Sequence, residues 1–338
     1  AARGGGAVPS ARRTRSVARP PKRERDAESL ELTLEGEPRK AHVTGFIDEW
    51  RRLARLDEGD RPLLLRRAAT RKLLDLEARL LQELEHPCVV PLLGRTQTKQ
   101  GEVLVVEPTP PLPPAVPLPV ALDFALDLLA GLATLHEGGC AFPELSRESL
   151  GIAFDPPSLR LPQPAKLVEA SACGRARLVL ADLSGVRPVA VLRQLRQGVA
   201  DPELPAPKFL HLLTPPEVVE RLEGRPAPQS DPRSADVYMA GHLVQDLLTK
   251  QSPYQGREGV TLRRLKREEV GGRIAFNEAA FERLPQPLGA LSSLLRAMLS
   301  IHPRERPRVT EALERVRQAS AAKPVQTPAG QVWRQGLL

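Results

Sequence analysis

The sequence predicts an α+β protein of two lobes, a small lobe rich in strands followed by a larger helical lobe. Three observations lead to this prediction. Short apolar runs of strand length and two helical patterns occupy residues 29–110. A proline-rich connector, residues 108–119, follows, and proline fits neither a helix interior nor a central strand. From residue 216 to residue 318 the pattern is helical, with Pro and Gly breaks.

The small lobe, residues 29–110, alternates between helical and extended patterns. Apolar residues at helical spacing predict an amphipathic helix over residues 46–56. These residues are Phe46, Ile47, Trp50, Leu53 and Leu56. A strand is predicted at residues 61–67 and a second helix at residues 69–84, whose leucines share one face. Strand-length apolar runs follow at Val89–Leu93 and Val103–Val106, whereas Glu31–Leu34 is too short to assign.

The large lobe is predicted to span residues 111–318. Val120–His136 is a strongly periodic helix, and Leu178–Ala181 is predicted to be a strand. Residues 185–214 are predicted to form a long loop that contains prolines. The two ends of the chain, residues 1–28 and 319–338, are predicted to be tails, and the first lacks any periodicity and should be disordered.

The positive charge of the chain is concentrated at its start. The formal net charge is +8, and residues 1–27 carry eight Arg or Lys against two acidic residues, a net of +6, which leaves +2 for the rest. The high pI therefore reports a basic tail and not a basic binding face. No aromatic residue is interleaved in the tail for base stacking, so no specific nucleic-acid contact is predicted. A contact with nucleic acid or anionic lipid stays open as the alternative.

Cysteines and histidines indicate no metal or disulfide framework. The cysteines, Cys88, Cys140 and Cys173, are widely spaced and odd in number, so they do not indicate a compartment. No two histidines stand at i, i+4, and neither a metal nor another cofactor is predicted. The most apolar window, Val116–Leu135, is interrupted by proline and two aspartates, so no transmembrane segment is predicted.

One segment resembles the catalytic loop of protein kinases. Leu135–Ile152 reads LHEGGCAFPELSRESLGI, and in the kinase signature this loop supplies an Asp base and, five residues later, a metal-binding Asn. Glu144 stands at the base position, Ser149 at the Asn position and Ser146 at the position of the loop lysine. Phe142 and Pro143 replace the His-Arg pair that precedes the base.

Further segments resemble the same family in the same order. Leu63–Arg66 resembles the strand that carries the ATP-phosphate lysine, with Arg66 at the lysine position. Glu77 stands where the family has the partner glutamate of the next helix, and HPCVVPLLG at residues 86–94 resembles HPNIVRLLG. LVVEP, which contains Glu107, resembles the strand that enters the hinge between lobes, and Asp182 lies in a segment, ADLS, that resembles A-D-F-G.

The last matching segments resemble parts of the family that hold the fold together. Thr214–Glu217 resembles the A-P-E end of the activation segment, and HPRERP at residues 302–307 resembles the late D-P-x-x-R-P box. The resemblance implies a buried ion pair between Glu217 and Arg306, and it implies that Asp236 holds the catalytic-loop backbone. It covers about residues 60–317 and implies a two-lobed protein kinase-like fold.

The residues that depart from the family pattern imply a pseudokinase. No G-x-G-x-x-G precedes Arg66, and backbone amides need such glycines to cradle phosphates. The extra methylene of Glu144 displaces its oxygens by about 1 Å, an error that can cost roughly 10²-fold in rate. Asp182 is left as the remaining metal ligand of the pattern. We therefore expect a protein-binding scaffold or allosteric module without ATP binding or phosphoryl transfer, whose unidentified partner contacts residues 185–214 and the helical lobe.

Three alternatives stay open. The chain is a residual nucleotide-binding enzyme if Glu144 acts as base and Asp182 holds a single metal. Asp182 either binds such a cation or caps the segment that follows it. Arg66 either pairs with Glu77 through both arms of its fork, or is a surface charge whose role passes to Arg67 or Lys72.

A finer resemblance concerns a subgroup. The absence of a glycine-rich loop, the Asp-Leu-Ser triplet and the TPPEVV run at residues 214–219 are similar to secreted coccidian kinases and pseudokinases of the rhoptry and dense-granule group. This resemblance implies a secreted protein of the parasite vacuole or cyst wall that acts by binding.

Overall fold

A computed structural model describes residues 29–321 except for 35–36, 48–50, 58, 60, 200, 202–203, 205–211, 226–229, 252–259, 271–277 and 286–287. The predicted basic tail, residues 1–28, lies outside the described residues, and so does Trp50. Where the chain is described, strands dominate up to residue 106 and helices dominate from residue 118. The molecule has the two-lobed α+β arrangement that the sequence predicts.

The small lobe holds a six-stranded sheet and one helix. Its elements are β1 (Ser29–Leu34), β2 (Glu37–Phe46), β3 (Arg51–Leu56), β4 (Pro62–Arg66), α1 (Arg71–Glu83), β5 (Leu92–Thr98) and β6 (Gly101–Val106). The strand order is β1-β2-β3-β4-β6-β5, and every neighbouring pair is antiparallel. Helix α1 begins after Thr70, whose hydroxyl accepts the Leu73 amide at 3.2 Å and so satisfies one of the first N–H groups.

The sheet curls so that β1 lies across β5. Alternate residues of β1 are buried, as in a strand with one face toward a core. The Thr96 hydroxyl of β5 donates to the Glu31 carbonyl of β1 at 2.8 Å. At Gly94 the strands approach so closely that a Cβ there would lie 2.7 Å from the Thr33 carbonyl oxygen. Only glycine fits this crossing without a shift of the backbone.

The predicted helix over residues 46–56 is wrong, because in the described part of this segment Phe46 ends β2 and residues 51–56 form β3, and the two strands pair antiparallel. In β3 the inward side chains are Arg52, 4% exposed, and Ala54, 1% exposed. Leu53 packs against the main core from the other face. Burial on both faces, together with a buried arginine, hides the period of two by which a strand is recognised.

Most other predictions for the small lobe are confirmed. The strand at residues 61–67, the helix at residues 69–84 and the strand Val103–Val106 correspond to β4, α1 and β6. The run Val89–Leu93 differs, because β5 begins only at Leu92 and Val89 forms an isolated bridge to Leu180. The unassigned Glu31–Leu34 lies within β1.

The large lobe is helical with two short antiparallel strand pairs, β7 with β10 and β8 with β9. Its elements are α2 (Leu118–Glu137), β7 (Cys140–Ala141), β8 (Leu150–Phe154), α3 (Pro164–Ala172), β9 (Ala176–Leu180), β10 (Arg187–Pro188), α4 (Val189–Arg196), α5 (Pro216–Leu222), α6 (Pro232–Thr249), α7 (Leu262–Val270), α8 (Glu278–Glu282), α9 (Leu291–Met298) and α10 (Val309–Ala321). Helix α10 extends three residues past the predicted domain end at residue 318.

Helix α2 is the centre of the large lobe and packs against α6, α10 and β9. Its length and hydropathy would allow it to cross a membrane, but 67% of the apolar window is buried inside the molecule. The buried side chains include Phe124, Leu128 and Leu132. A helix that is apolar on most of its sides is expected at the core of a helical lobe, and packing accounts for the composition of α2.

The predicted loop over residues 185–214 is wrong in part, because it contains α4. This helix buries Val189 and Leu192 against Ala141 of β7. Pro188 immediately precedes α4, and the next proline is at position 202, so no proline interrupts the helix. The apolar stripe of two turns is too short to stand out in the sequence.

Candidate functional site

The guanidinium of Arg66 joins the two lobes at the end of β4. It is 3% exposed, and its Nη2 lies 2.6 Å from Glu77 Oε1 and 2.5 Å from Asp182 Oδ1. Its Nη1 donates to the Ala181 carbonyl at 2.8 Å. The fork therefore does not grip Glu77 with both arms, as the sequence suggested. It bridges α1 of the small lobe and the segment after β9 of the large lobe.

The alternative in which Arg66 is a surface charge is wrong, because Arg66 is buried. Arg67 instead bonds to Gln100 at 3.1 Å, and Lys72 lies 2.5 Å from Asp201. Residues at alternate positions of a strand point to opposite faces, and position 66 is the one that faces the cleft.

The electrostatics of this cluster favour a charged Arg66 and a charged Asp182. Burial by itself would raise the pKa of Asp182, but the charge of Arg66 and the Ser184 amide, which donates at 3.0 Å, hold that pKa below its usual value. Burial raises the pKa of Glu77, and the neighbouring Asp182 adds to this effect while Arg66 opposes it. The Asp182 side chain stays 32% exposed, so within this cluster it is the acid that a solute can reach.

Glu144 lies in the loop between β7 and β8 and packs against Gly185. A Cβ at position 185 would lie 2.6 Å from Glu144 Cβ. The positive charge that acts with Glu144 is Arg187, which is buried and donates to the carbonyls of Ser184 at 2.6 Å and Val186 at 2.8 Å. Glu144, which stands at the base position of the family pattern, therefore has the positive charge of Arg187 near it.

Ser149 uses its hydroxyl within its own turn. The hydroxyl donates to the Ser146 carbonyl at 2.7 Å and accepts the Ser146 amide at 3.1 Å. Its carbonyl accepts the amides of Ala181 at 2.9 Å and Asp182 at 3.2 Å. These bonds fix the loop against the segment that carries Asp182, and they engage the Ser149 hydroxyl with the main chain of Ser146.

Asp236, which lies in α6, holds the segment that resembles the catalytic loop. It is fully buried, and its Oδ2 accepts the Phe142 amide at 2.8 Å and lies 2.8 Å from His136 Nε2. Burial raises the pKa of Asp236, while the bond to His136 opposes this rise. A second tether is Arg147, whose guanidinium contacts Asp246 and the Pro113 carbonyl.

Glu217 and Arg306 form a buried, two-point ion pair. The distances are 2.7 Å from Nη1 to Oε1 and 2.9 Å from Nη2 to Oε2. The same guanidinium carbon lies 4.7 Å from the centre of the Tyr238 ring, an arrangement that favours a cation–π contact. The pair joins α5 to the segment before α10 and has a structural role.

Glu107 is not part of the Arg66 cluster. It lines a separate groove of about 650 Å³ whose polar side chains include His86 and Arg177. Its backbone amide donates to the Pro91 carbonyl at 3.3 Å, and burial raises the pKa of its carboxyl. The resemblance makes Glu107 part of a remnant nucleotide pocket, and this stays a prediction; in the structure Glu107 directly follows β6, which ends at Val106.

Two polar residues that the sequence reasoning missed complete the site. His136 binds an aspartate 100 positions away in sequence, and Arg187 lies beside Glu144. The only available signal for His136 was its place at the end of a strong helix. Among the described residues, no group of three or more His, Cys, Asp or Glu stands close enough to hold a metal ion.

Comparison with known proteins supports the fold. No protein-family model and no curated protein matches the sequence. Among solved structures, the Rad53 kinase domain and SCD2 in complex with AMPPNP matches with a TM-score of 0.53 at 15% identity, over 80% of this chain and 88% of that one. The same Rad53 region without that ligand matches with a TM-score of 0.53 at 16% identity, over 84% and 86%. Rad53 1-466 in complex with AMP-PNP matches with a TM-score of 0.53 at 15% identity, over 83% and 64%. At this identity the match establishes the fold alone, and the chain has a protein kinase-like fold.

Proposed function

We propose that this chain is a pseudokinase, which binds other proteins and does not transfer phosphate. The observation that carries the proposal is the Arg66 guanidinium, bonded at once to Glu77 and Asp182. Phosphoryl transfer requires a cation directed at the phosphates and carboxylates available to Mg²⁺. In this cluster the Arg66 guanidinium is already engaged by both carboxylates, so its charge is not directed at a phosphate.

The surroundings of the cluster support the same proposal. The connection between β2 and β3 stands where the family pattern has its glycine-rich loop; its residues 48–50 lie outside the described residues, and the sequence of residues 47–50 contains no glycine. The Ser149 hydroxyl bonds to its own turn instead of facing a metal. Phe142, which replaces the histidine of the family loop, is packed in the main core. Residues that have structural roles in the family pattern are thus kept in this chain, while residues that take part in phosphoryl transfer are changed.

A thermal-shift titration tests the proposal. Melting is followed with ATP plus Mg²⁺, with ATP plus EDTA, and with Mg²⁺ alone, and an active kinase domain serves as the positive control. We expect no shift, whereas a ligand present at 100 times its Kd adds about 2.7 kcal/mol of stability. A shift that depends on both ATP and Mg²⁺ contradicts an empty nucleotide pocket, and phosphate transfer to a generic substrate would contradict the pseudokinase proposal itself.

The same titration decides the second candidate, a residual nucleotide-binding enzyme. It is favoured by the carboxylate retained at Glu144 and by the exposed third of the Asp182 side chain, 32%. In this case ATP and Mg²⁺ stabilise the wild-type protein, and Asp182→Ala folds but loses the shift. Phosphate transfer to a generic substrate then disappears in Glu144→Gln.

We further propose that the chain is a secreted protein of the coccidian rhoptry and dense-granule group. The support is the TPPEVV run, the Asp-Leu-Ser triplet and the missing glycine-rich loop. Immunolocalisation in the source cell tests this proposal. Label in the parasite vacuole or cyst wall is expected, and label confined to the cytosol contradicts it.

A further inference from the structure

The groove that Glu107 lines is formed by both lobes and does not include Arg66. Its walls come from the end of α1, the segment that leads into β5, the residue after β6, and strands β8 and β9. Most of the side chains that line it are apolar, among them Leu84, Val90 and Val179. Its volume of about 650 Å³ and its apolar walls with a few polar groups are typical of a binding site. We refer to it as the Glu107 groove.

Main-chain hydrogen bonds between the lobes hold this groove in shape. The Val90 amide donates to the Leu180 carbonyl at 3.1 Å, and the Leu180 amide donates to the Cys88 carbonyl at 2.9 Å. Ala153 and Arg177, which also line the groove, are direct partners in the antiparallel pair of β8 and β9. A preformed groove of this kind lowers the ordering cost of binding.

The carboxylate of Glu107 is the acid that the groove holds between its walls. Glu107 is half-buried, and within the described part of the chain its carboxylate makes no hydrogen bond or ion pair. Burial raises the pKa of this carboxyl, although the charges of Arg61 and Arg177 oppose the rise. The cations of this chain therefore compensate the carboxylate incompletely, and a cation supplied by a ligand would complete the compensation.

His86 gives the same groove a hydrogen-bond donor. Its Nδ1 accepts the Cys88 amide at 3.1 Å, so this nitrogen carries no proton. Burial lowers the pKa of His86, which favours the neutral ring. The proton of the neutral ring is then on Nε2, and the described residues offer Nε2 no hydrogen-bond partner. This nitrogen can donate to a main-chain carbonyl of a bound segment.

The charge of the groove is opposite to the charge of the chain. The described residues that line it include two carboxylates, Glu85 and Glu107, and one guanidinium, Arg177, a net of −1 with His86 neutral. The whole chain carries +8. A cationic segment is therefore repelled by the net charge of the molecule and attracted at this groove, so that charge contributes to specificity.

We propose that the Glu107 groove binds a segment of a partner protein in which a Lys or Arg is flanked by apolar residues. The cation pairs with Glu107, the apolar neighbours lie against the apolar walls, and His86 Nε2 donates to the main chain of the segment. The proposal gives the chemistry of the partner in the proposed binding function and rests on that function.

Fluorescence polarisation of the full chain tests the Glu107 groove. The probe is the fluorescein-labelled peptide Gly-Leu-Lys-Leu-Gly, and the uncharged control has Gln in place of Lys. We expect the Lys peptide to bind about tenfold more tightly than the Gln peptide, because it makes a charge-assisted contact with Glu107. In the variant Glu107→Gln the two peptides should bind equally. A variant that keeps the preference for Lys overturns the proposal.

Two further variants separate the groove from the net charge. Gln82→Arg places a cation on the exposed wall of the groove and should weaken binding of the Lys peptide about tenfold. Gln97→Arg makes the same change at an exposed position of β5 that does not line the groove, and binding should be unchanged. Equal weakening by both variants overturns the proposal, because the effect is then a property of the net charge. Gln82→Arg also gives the answer if Glu107→Gln fails to fold.

Competition tests where the bound segment comes from. If an unlabelled peptide of residues 1–28, which are basic, displaces the probe more effectively than unlabelled Lys peptide does, the assignment to a partner protein is overturned in favour of this chain's own first residues. No ATP is present, so failure of peptide binding leaves the proposal of an empty nucleotide cleft intact. Conversely, an ATP-dependent thermal shift contradicts the empty cleft without affecting the Glu107 groove.

Discussion

Buried charge at Arg66 is compensated by carboxylates from two distant parts of the chain. Taking an ion out of water costs several kcal/mol, and a partner at hydrogen-bond distance offsets this cost only when the geometry is good. Glu77 and Asp182, at 2.6 Å and 2.5 Å from Nη2, meet that requirement. The free energy of unfolding should therefore fall strongly when one member of the cluster is replaced, and fall less when two paired members are replaced together.

The variant Arg66→Met tests this sensitivity. Glu77, which is 2% exposed, would keep its carboxyl buried without a cation, and we expect the free energy of unfolding to fall by about 3–5 kcal/mol. Urea unfolding measures the change. The double variant Arg66→Met/Glu77→Met is the control and should be clearly less destabilised than the single variant. Equal losses in the two variants would show that the ion pair does not account for the effect.

Sequence reasoning reached Arg66, Glu77 and Asp182 because the family pattern fixes their order along the chain. It did not show that one nitrogen of Arg66 contacts both acids, since that depends on how the lobes close. His136 was missed for the same reason, because its partner Asp236 is distant in sequence and the contact forms only when α2 packs on α6.

Elements were predictable where the apolar pattern is long or free of charge, and they were lost where it is short or carries a buried arginine. The α1 and α2 helices are long enough for their periodicity to appear in the sequence. Strand β3 carries a buried arginine and packs on both sides, so its pattern imitates a helix. The crossing of β1 over β5 at Gly94 has no sequence signal beyond the glycine itself.

The variant Gly94→Ala tests that crossing. Its Cβ would meet the Thr33 carbonyl oxygen at 2.7 Å, and because a backbone atom cannot move aside, we expect a loss of about 1–3 kcal/mol in stability. Gly45→Ala in β2 is the matched control, since a Cβ there meets nothing within 4 Å. Thermal melts of the two variants give the comparison, and a Gly94→Ala variant as stable as Gly45→Ala contradicts the close crossing.

At the scale of the whole molecule, Asp127 of α2 links the two lobes. Its Oδ2 accepts the Leu178 amide of β9 at 2.9 Å, and its Oδ1 lies 3.7 Å from the thiol of Cys88, which follows α1. Burial raises the pKa of Asp127 to about 7. The folded protein therefore keeps a proton on Asp127 that the unfolded chain releases near pH 4.

This proton makes stability depend on pH. The contribution of Asp127 is fully present below its unfolded pKa and is lost as the pH rises to about 7. Asp127→Asn does not titrate, so its melting temperature relative to wild type should increase between about pH 4 and about pH 8. Glu148→Gln, an exposed change of equal charge, is the control. A difference between Asp127→Asn and wild type that stays constant over this range contradicts the prediction.

The crossing of β1 over β5 also affects which edges of the sheet are open to an added strand. An open sheet exposes unpaired N–H and C=O groups along its outer strands, and partners commonly add a strand there. In the described sheet the outer strands are β1 and β5, and they face each other through Thr96 and Glu31. A partner that adds a strand at this crossing would first have to displace β1 from β5, so the crossing disfavours main-chain pairing on this side of the sheet.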